Sequence, residues 1–318
     1  MAGVTLFRRL AVVTAIFAYL QIALGGVVRV SGSGLGCPDW PLCHGRPYPP
    51  ANLHAIIEYS HRAVGTVTGV LIIATVITAW VVWRARRPAV AWLATASLIG
   101  VAGEGALGGV VVVNELASWL VLIHLGLAMI ILGALVAAAV MSMPPSPGVA
   151  EPGFRRLAAI SVAATYVMLL TGSSVVASNG DQGCKSWPLC GAGFTPSFAG
   201  SDAFTMLHRG TVLVVGVLLV YFLGTAMLRW RPRVPLWQFR RHDRHPVGSM
   251  AQATLFVFVV QVAVGAVTAI TAEPLFNGLH VALATLVWAG TLATAMLTLP
   301  RADRDAQPLR MVAEKGSA

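Results

Sequence analysis

An eight-residue pattern occurs twice in the chain, as Gly-Cys-Pro-Asp-Trp-Pro-Leu-Cys at residues 36–43 and as Gly-Cys-Lys-Ser-Trp-Pro-Leu-Cys at residues 183–190. The two copies are 147 positions apart, and the His-Arg pairs at residues 61–62 and 208–209 keep the same spacing. A spacing that is kept without gaps over this length indicates an internal duplication. We therefore expect two homologous halves, each carrying one copy of the pattern.

Long apolar runs flank both copies of the pattern. A membrane-spanning helix needs roughly 20 mostly apolar residues, and eight runs have about that length. Their residues do not alternate between polar and apolar, as strands of a membrane barrel would. We predict an all-α integral membrane protein with eight transmembrane helices, four in residues 1–143 and four in residues 144–300. The runs cover residues 10–28, 63–83, 89–113, 116–141, 157–177, 211–228, 250–271 and 276–299.

The composition agrees with a membrane protein. Of the 318 residues, 57% are hydrophobic and only 11% are charged, whereas soluble domains carry roughly 25% charged residues. This argues against a soluble enzyme, a disordered protein and a secreted disulfide scaffold. The net charge is +10, and 17 of the 22 Lys and Arg residues lie in segments predicted on the same side of the membrane as the N-terminus. By the positive-inside rule we expect both termini to be cytoplasmic. The positive net charge is then explained by the membrane topology, and we expect no nucleic-acid partner. Residues 301–318 are expected to form a disordered cytoplasmic tail.

Four histidines are predicted at the outer ends of spans, two in each half. Ionisable groups within spans are costly and usually functional. Two imidazoles on neighbouring helices could approach heme iron from opposite faces, since histidine is a standard axial ligand. A lone histidine in a span can instead simply form a hydrogen bond to a neighbouring helix. Because these histidines occur at repeated positions in both halves, heme ligation is favoured. The four are His61, His124, His208 and His280, whereas His44, His54, His242 and His245 are interpreted as solvated loop residues.

The four cysteines lie in two predicted outer loops, as the pairs Cys37 with Cys43 and Cys184 with Cys190. The outer compartment is oxidising, so disulfides persist there. We predict one structural disulfide within each pair. The alternative is thiol–disulfide exchange, but neither pair has the Cys-x-x-Cys spacing that commonly tunes reactivity.

Several polar residues distinguish the two halves. Glu58 lies three residues before His61, whereas Thr205 occupies the matching position of the second half. A carboxylate there could take protons beside a heme, or it could be a solvated acid that interacts with the helix dipole; its presence in one half alone favours function. Glu104 and Gln261 occupy similar places in two spans, and a proton-handling or hydrogen-bonding role and a packing role are both open.

Three arginines are predicted on the outer side near the histidines. Heme propionates need cationic partners, and Arg29, Arg62 and Arg209 are the candidates. The alternative is that these side chains extend to the lipid headgroups.

These residues together resemble the heme A synthase family, membrane enzymes that convert heme O to heme A for cytochrome oxidase. The resemblance extends over residues 10–299. It is carried by the stretch Gly-Gly-Val-Val-Arg-Val-Ser-Gly-Ser-Gly-Leu-Gly-Cys-Pro-Asp-Trp-Pro-Leu-Cys at residues 25–43, by Glu-Tyr-Ser-His-Arg at residues 58–62, and by the other three histidines.

The resemblance implies a role for each half. The C-terminal half would hold a heme b cofactor through His208 and His280, and the N-terminal half would hold the substrate heme O near His61 and His124. Glu58 would be the catalytic carboxylate. The implied reaction oxidises a porphyrin methyl group to a formyl group by successive hydroxylations, with oxygen from water and electrons leaving through the cofactor. A heme O synthase and an electron acceptor are the candidate partners, besides membrane lipid.

Two other functions are compatible with the same motifs. A di-heme membrane cytochrome would pass electrons to or from quinone without chemistry on the substrate, and a membrane thiol–disulfide oxidase would carry no heme. The Glu58/Thr205 difference favours an enzyme over a simple relay. Because no mitochondrial transit segment is visible, we expect a bacterial plasma membrane, with the cysteine loops and heme sites toward the outer face.

Overall fold

A computed structural model describes residues 2–144, 150–190, 195–231 and 245–300, the side chains of residues 181 and 182 excepted. Eight of its helices are long and apolar enough to cross a membrane. This confirms the predicted all-α membrane fold with eight spans. The predicted tail at residues 301–318 and His242 lie outside the described residues. The helices are α1 (Ala2–Val30), α2 (Leu53–Trp83), α3 (Pro88–Val113), α4 (Ser118–Ser142), α5 (Pro152–Ala177), the short α6 (Gly180–Gly183), α7 (Asp202–Arg229), α8 (Pro246–Thr271) and α9 (Pro274–Leu297).

Two helices begin well before the apolar runs that predict them. The run at residues 63–83 belongs to α2, which starts at Leu53, and the run at residues 211–228 belongs to α7, which starts at Asp202. His61 therefore lies within α2 and not at its start. Polar side chains in the first turns hide these extensions from a hydropathy pattern.

Local signals set the helix starts. The side chain of Asn52 caps α2, since its Oδ1 accepts hydrogen bonds from the backbone N–H groups of His54 and Ala55 at 2.9 and 3.3 Å. His54 is thus a first-turn helix residue and not a loop residue as predicted. Proline is favoured at the first helical position because its missing N–H has no helical partner there. Four helices begin with it, at Pro88, Pro152, Pro246 and Pro274.

The long helices pack in two rings that meet along α4 and α9. Helices α1 to α4 contact one another in chain order and α4 returns to α1, while α5, α7, α8 and α9 do the same. Between the rings, α4 contacts α9 and α5, and α1 contacts α9. This arrangement suits two homologous halves, although homology and the boundary at residue 143 remain predictions.

Side chains of the second ring bond directly to the backbone of α4. The indole N–H of Trp288 donates to the carbonyl of Met129 at 2.9 Å, and the Tyr166 hydroxyl donates to the carbonyl of Gly126 at 3.0 Å. The two aromatic rings lie 5.5 Å apart. Inside a membrane no water competes for such groups, so these bonds fix the register of α4 against α5 and α9.

Two arginines bind the C-terminal end of α4. Arg8 of α1 donates to the carbonyl of Ser142 at 2.6 Å, and Arg87 donates to the carbonyls of Met141 and Met143 at 2.6 and 3.2 Å. The last carbonyls of a helix lack helical partners, and cations there also interact favourably with the helix dipole. The end of α4 is therefore tied to α1 and to the α2–α3 turn.

Replacing Arg87 with alanine should lower the stability of the bundle by about 2 kcal/mol, because two carbonyl acceptors lose a charged donor. Arg87 is only 8% exposed, so solvent cannot replace it well. The measurement is the thermal unfolding midpoint of purified protein in detergent. Arg84→Ala is the matched control, since Arg84 is exposed in the same turn; equal losses in the two variants would contradict the capping role.

Candidate functional site

The four sequence-predicted histidines lie in two pairs, one within each ring of helices. His61 of α2 and His124 of α4 belong to the first ring, and His208 of α7 and His280 of α9 belong to the second. All four are half-buried. Each ring thus contains two imidazoles from different helices.

Each imidazole packs against a glycine of the preceding long helix. At three of these glycines a Cβ atom would lie closer to the ring than ordinary van der Waals contact allows, so the glycine makes room for the histidine. Only the repeat of Gly25 at Gly172 is visible as a sequence signal for this packing. The distances from an added Cβ to the ring atom Cε1 are 3.1 Å for Gly25 and His61, 3.0 Å for Gly172 and His208, 2.7 Å for Gly265 and His280, and 3.5 Å for Gly108 and His124.

In the first α-helical pair of each ring, a polar side chain of one helix approaches the histidine of the next. Nε2 of Gln21 lies 3.3 Å from Nε2 of His61, and Oγ1 of Thr171 lies 3.2 Å from Nδ1 of His208. Gln21 and Thr171 do not occupy matching positions of the repeat, because the residue that matches Gln21 in the second half is Met168. Nδ1 of His61 is buried and has no hydrogen-bond partner among the described residues.

The second helical pair of each ring repeats this arrangement. Oε1 of Glu104 lies 3.1 Å from Nδ1 of His124, at ion-pair distance though not aligned as a hydrogen bond. Nε2 of Gln261 lies 3.4 Å from Nε2 of His280. Both polar residues therefore contact histidines, a relationship that their sequence positions alone leave open. Nδ1 of His280 is buried without a hydrogen-bond partner in the described part of the chain.

Both predicted disulfides are present. Cys37 is bonded to Cys43 with an S–S distance of 2.00 Å, and Cys184 is bonded to Cys190 at 2.04 Å. The first disulfide loop lies over the end of α3, where a Cβ added to Gly109 would lie 3.0 Å from the Trp40 ring. The loop is therefore packed onto the same end of the ring as the histidines.

An arginine directly after each helix histidine holds the disulfide loop. Arg62 donates to the backbone carbonyls of Cys37, Asp39 and Leu42 at 2.6 to 2.7 Å. Arg209 makes a sparser set of contacts, to the carbonyl of Pro188 at 3.1 Å and to the disulfide sulfur of Cys190 at 3.7 Å. A role of these arginines with heme propionates stays a prediction.

Glu58 connects the first disulfide loop to α2. Its side chain is buried, with Oε1 2.5 Å from the Arg62 guanidinium and Oε2 accepting the Cys37 N–H at 2.8 Å. Within the described residues, neither carboxylate oxygen bonds His61. In the second ring the hydroxyl of Thr205 donates to the carbonyl of Gly180 at 3.1 Å. The two halves thus differ in charge at this position.

Asp39 orders the tip of the first disulfide loop. Its carboxylate accepts the backbone N–H groups of Gly45 at 2.7 Å and His44 at 2.5 Å. The Gly45 N–H, assisted by that of His44, lowers the pKa of Asp39 below its ordinary value of 3.8. Both residues of the tip have positive φ, 52° at His44 and 73° at Gly45. The carboxylate therefore offsets an unfavourable backbone conformation at His44.

Comparison with known proteins identifies the family. A family model described as "Cytochrome oxidase assembly protein" matches residues 8–292. The chain belongs to this family. Among the curated proteins similar to it are three of the same name, "Heme A synthase". That of Alkalihalophilus pseudofirmus is 30% identical over 258 residues, 78% of this chain and 82% of the relative. That of Halalkalibacterium halodurans is 27% identical over 299 residues, covering 91% and 95%, and that of Symbiobacterium thermophilum is 28% identical over 298 residues, covering 88% and 92%. The family predicted from the sequence is confirmed.

The tip of the first disulfide loop should lose order in acid. Because the folded pKa of Asp39 is depressed, its contribution is fully present above pH 3.8 and is lost as the pH falls through the lower folded pKa. The measurement is amide hydrogen exchange at His44 and Gly45 as a function of pH. Asp39→Asn is the control and should show weak protection without this pH dependence. Equal protection in both proteins at every pH would contradict the role of the carboxylate.

Proposed function

We propose that this chain is a heme A synthase, an oxidoreductase that converts a methyl group of heme O to a formyl group by successive hydroxylations. The observation that carries the proposal is the pair of half-buried histidines in each ring of a chain that belongs to the cytochrome oxidase assembly family. Relatives similar over most of the chain bear the name of this enzyme. Its product would serve cytochrome oxidase.

The residues of both rings suit heme iron. Buried ring nitrogens without hydrogen-bond partners occur on His61 and His280, and a neutral imidazole nitrogen is what iron takes as an axial ligand. We assign the substrate heme O to His61 and His124, and a heme b cofactor to His208 and His280. The glycine beside each histidine leaves space for the imidazole, whose Cε1 atom lies nearest to the neighbouring helix.

The difference between the rings supports this assignment. Among the described residues, only the first ring has a buried carboxylate one turn before the histidine of its second helix, since Thr205 matches Glu58. Oxidation of a methyl to a formyl group with oxygen from water releases both electrons and protons. The ring of helices that binds the substrate therefore needs a proton acceptor. The cofactor heme, when bound, supplies one-electron redox chemistry.

Glu58 is proposed as that proton acceptor. A proton can add at Oε1 if the ion pair with Arg62 opens, or at Oε2 if the Cys37 N–H is released. Either change would also loosen the disulfide loop, whose carbonyls Arg62 holds. Glu58 would thus combine proton transfer with control of the loop that covers its ring. Arg29, Arg62 and Arg209 are kept as proposed partners of the heme propionates.

We further propose that the termini are cytoplasmic and that the disulfide loops and histidines face the outside of a bacterial plasma membrane. The distribution of Lys and Arg supports this orientation. The bacterial relatives and the eight apolar helices agree with a multi-pass membrane protein. A heme O synthase and an electron acceptor are proposed partners, because the reaction needs a supply of heme O and a sink for electrons.

A di-heme electron relay is the second candidate function. It is favoured by one observation, namely that each ring holds a histidine pair of the same design. The charge difference at Glu58 weighs against it, because a simple relay has less need of a carboxylate in one ring alone.

The decisive experiment expresses the chain together with a source of heme O and separates the extracted pigments by chromatography. We expect heme A from the wild type and none from Glu58→Gln, which retains its heme but has lost the proton acceptor. Glu115→Gln removes an exposed carboxylate of the α3–α4 turn and should behave as wild type. Unchanged heme b alone from the wild type would identify the relay, absence of heme the disulfide oxidase, and normal heme A from Glu58→Gln would refute the catalytic assignment.

The heme b that purifies with the chain should depend on the second ring alone. His208→Ala and His280→Ala are expected to abolish the heme b absorbance of the purified protein, while His61→Ala keeps it. Gly265→Ala should act like His280→Ala, since its Cβ would lie 2.7 Å from the ring. Gly224→Ala, where nothing lies within 4 Å, is the control. Loss of heme b in His61→Ala but not in His208→Ala would reverse the assignment of the two rings.

A further inference from the structure

We propose that Glu104 is a positioning residue that holds and polarises His124, and that Gln261 is its uncharged counterpart at His280, so that the two heme sites differ in reduction potential. The inference rests on the proposed function, since it takes these histidines as heme ligands. It assigns a role to a carboxylate of a membrane span that the proposed reaction does not otherwise use.

In the described part of the chain, Glu104 has one polar partner, the imidazole of His124. Its Oε1 lies 3.1 Å from Nδ1 of His124, and the two side chains are only 14% and 27% exposed. Its Oε2 is buried and has no hydrogen-bond partner in the described part of the chain. A carboxylate in the middle of an apolar helix is costly unless it is paired. The contact with His124 is therefore the one interaction on the described residues that accounts for its position.

The equivalence of Glu104 and Gln261 follows from their place on the helix. Glu104 lies four residues before Gly108, and Gln261 lies four residues before Gly265. Residues four apart share a helix face, and each glycine is the one against which the histidine of the next helix packs. Both polar side chains consequently reach the imidazole of the next helix, Glu104 at Nδ1 of His124 and Gln261 at Nε2 of His280. The position on the helix is repeated, whereas the carboxyl group is replaced by an amide.

A charge at this position acts on the metal through the ligand. A carboxylate beside a ligating imidazole fixes the ring orientation and raises its basicity, whereas an amide can fix the ring without adding charge. A more basic ligand favours the oxidised iron. The effect is stronger in a low-dielectric span than in water. Glu104 should therefore lower the reduction potential of a heme held by His124 relative to a neutral neighbour.

The test exchanges the two residues. The full chain is purified in detergent as wild type, Glu104→Gln and Gln261→Glu, and heme b is added as the probe for the first site. Potentials are read by absorbance in a redox titration, with His124→Ala and His280→Ala used to assign each signal to its ring. Glu115→Gln is the matched control, because it removes an exposed carboxylate beyond the end of the same helix.

The proposal expects opposite shifts in the two exchanges. Glu104→Gln should raise the potential of the first-ring heme, leave that of the second ring unchanged and weaken heme binding in the first ring by roughly 10- to 100-fold. Gln261→Glu should lower the second-ring potential. Glu115→Gln should change neither.

Two failures are distinguishable. If His124→Ala removes the first-ring heme but Glu104→Gln changes neither its potential nor its affinity, the role of Glu104 is refuted and the proposed function stands. If His124→Ala leaves both hemes and both potentials intact, His124 is not a heme ligand, and this outcome overturns the inference together with the assignment of the first ring.

Discussion

The packing of an imidazole ring against a glycine is the constraint on which both rings of helices depend. It occurs four times, and each time the histidine and the glycine come from two different helices. At Gly25, Gly172 and Gly265 a side chain would push the helices apart or turn the imidazole away, whereas at Gly108 an added Cβ would make an ordinary van der Waals contact. The same contact therefore sets the distance between two helices and the direction of a proposed metal ligand. Because interiors are close-packed, neither can change without the other.

This constraint also places the polar partners of the histidines. Gln21, Glu104 and Gln261 each lie four residues before the glycine that receives the ring, so the space and the polar group occupy one helix face. The second-ring helix α5 departs from this spacing, since Thr171 lies directly before Gly172 and bonds His208. Each histidine thus has a carboxyl, an amide or a hydroxyl group of the preceding long helix beside it. The differences among these partners are where the two rings can acquire different chemistry.

The larger features of this arrangement are predictable from the sequence, and the finer ones are not. Eight spans, two disulfides and the family all follow from apolar runs, paired cysteines and one long motif. The helix starts at Leu53 and Asp202 do not, because polar residues interrupt the hydropathy signal there. The contacts of Arg62 and Arg209 are hidden for another reason: their acceptors are mostly backbone carbonyls, which every residue possesses. Likewise, Glu104 and Gln261 stand out as polar residues in spans, but only the packing of α3 on α4 and of α8 on α9 reveals what they touch.

The two arginines at the end of α4 have a consequence for how membrane orientation can vary among related chains. Arg8 and Arg87 belong to the set of cations that indicates the predicted orientation, yet both bind the last carbonyls of one helix. A Lys or Arg that acts only on membrane insertion can move to another position in the same loop, since only the number of such residues on each side of the membrane matters. These two cannot, because a guanidinium displaced by even one residue would leave a carbonyl unpaired. Selection on topology and selection on tertiary structure therefore act on the same side chains, and the end of the bundle that carries Arg8 and Arg87 has less freedom to change than its loops suggest.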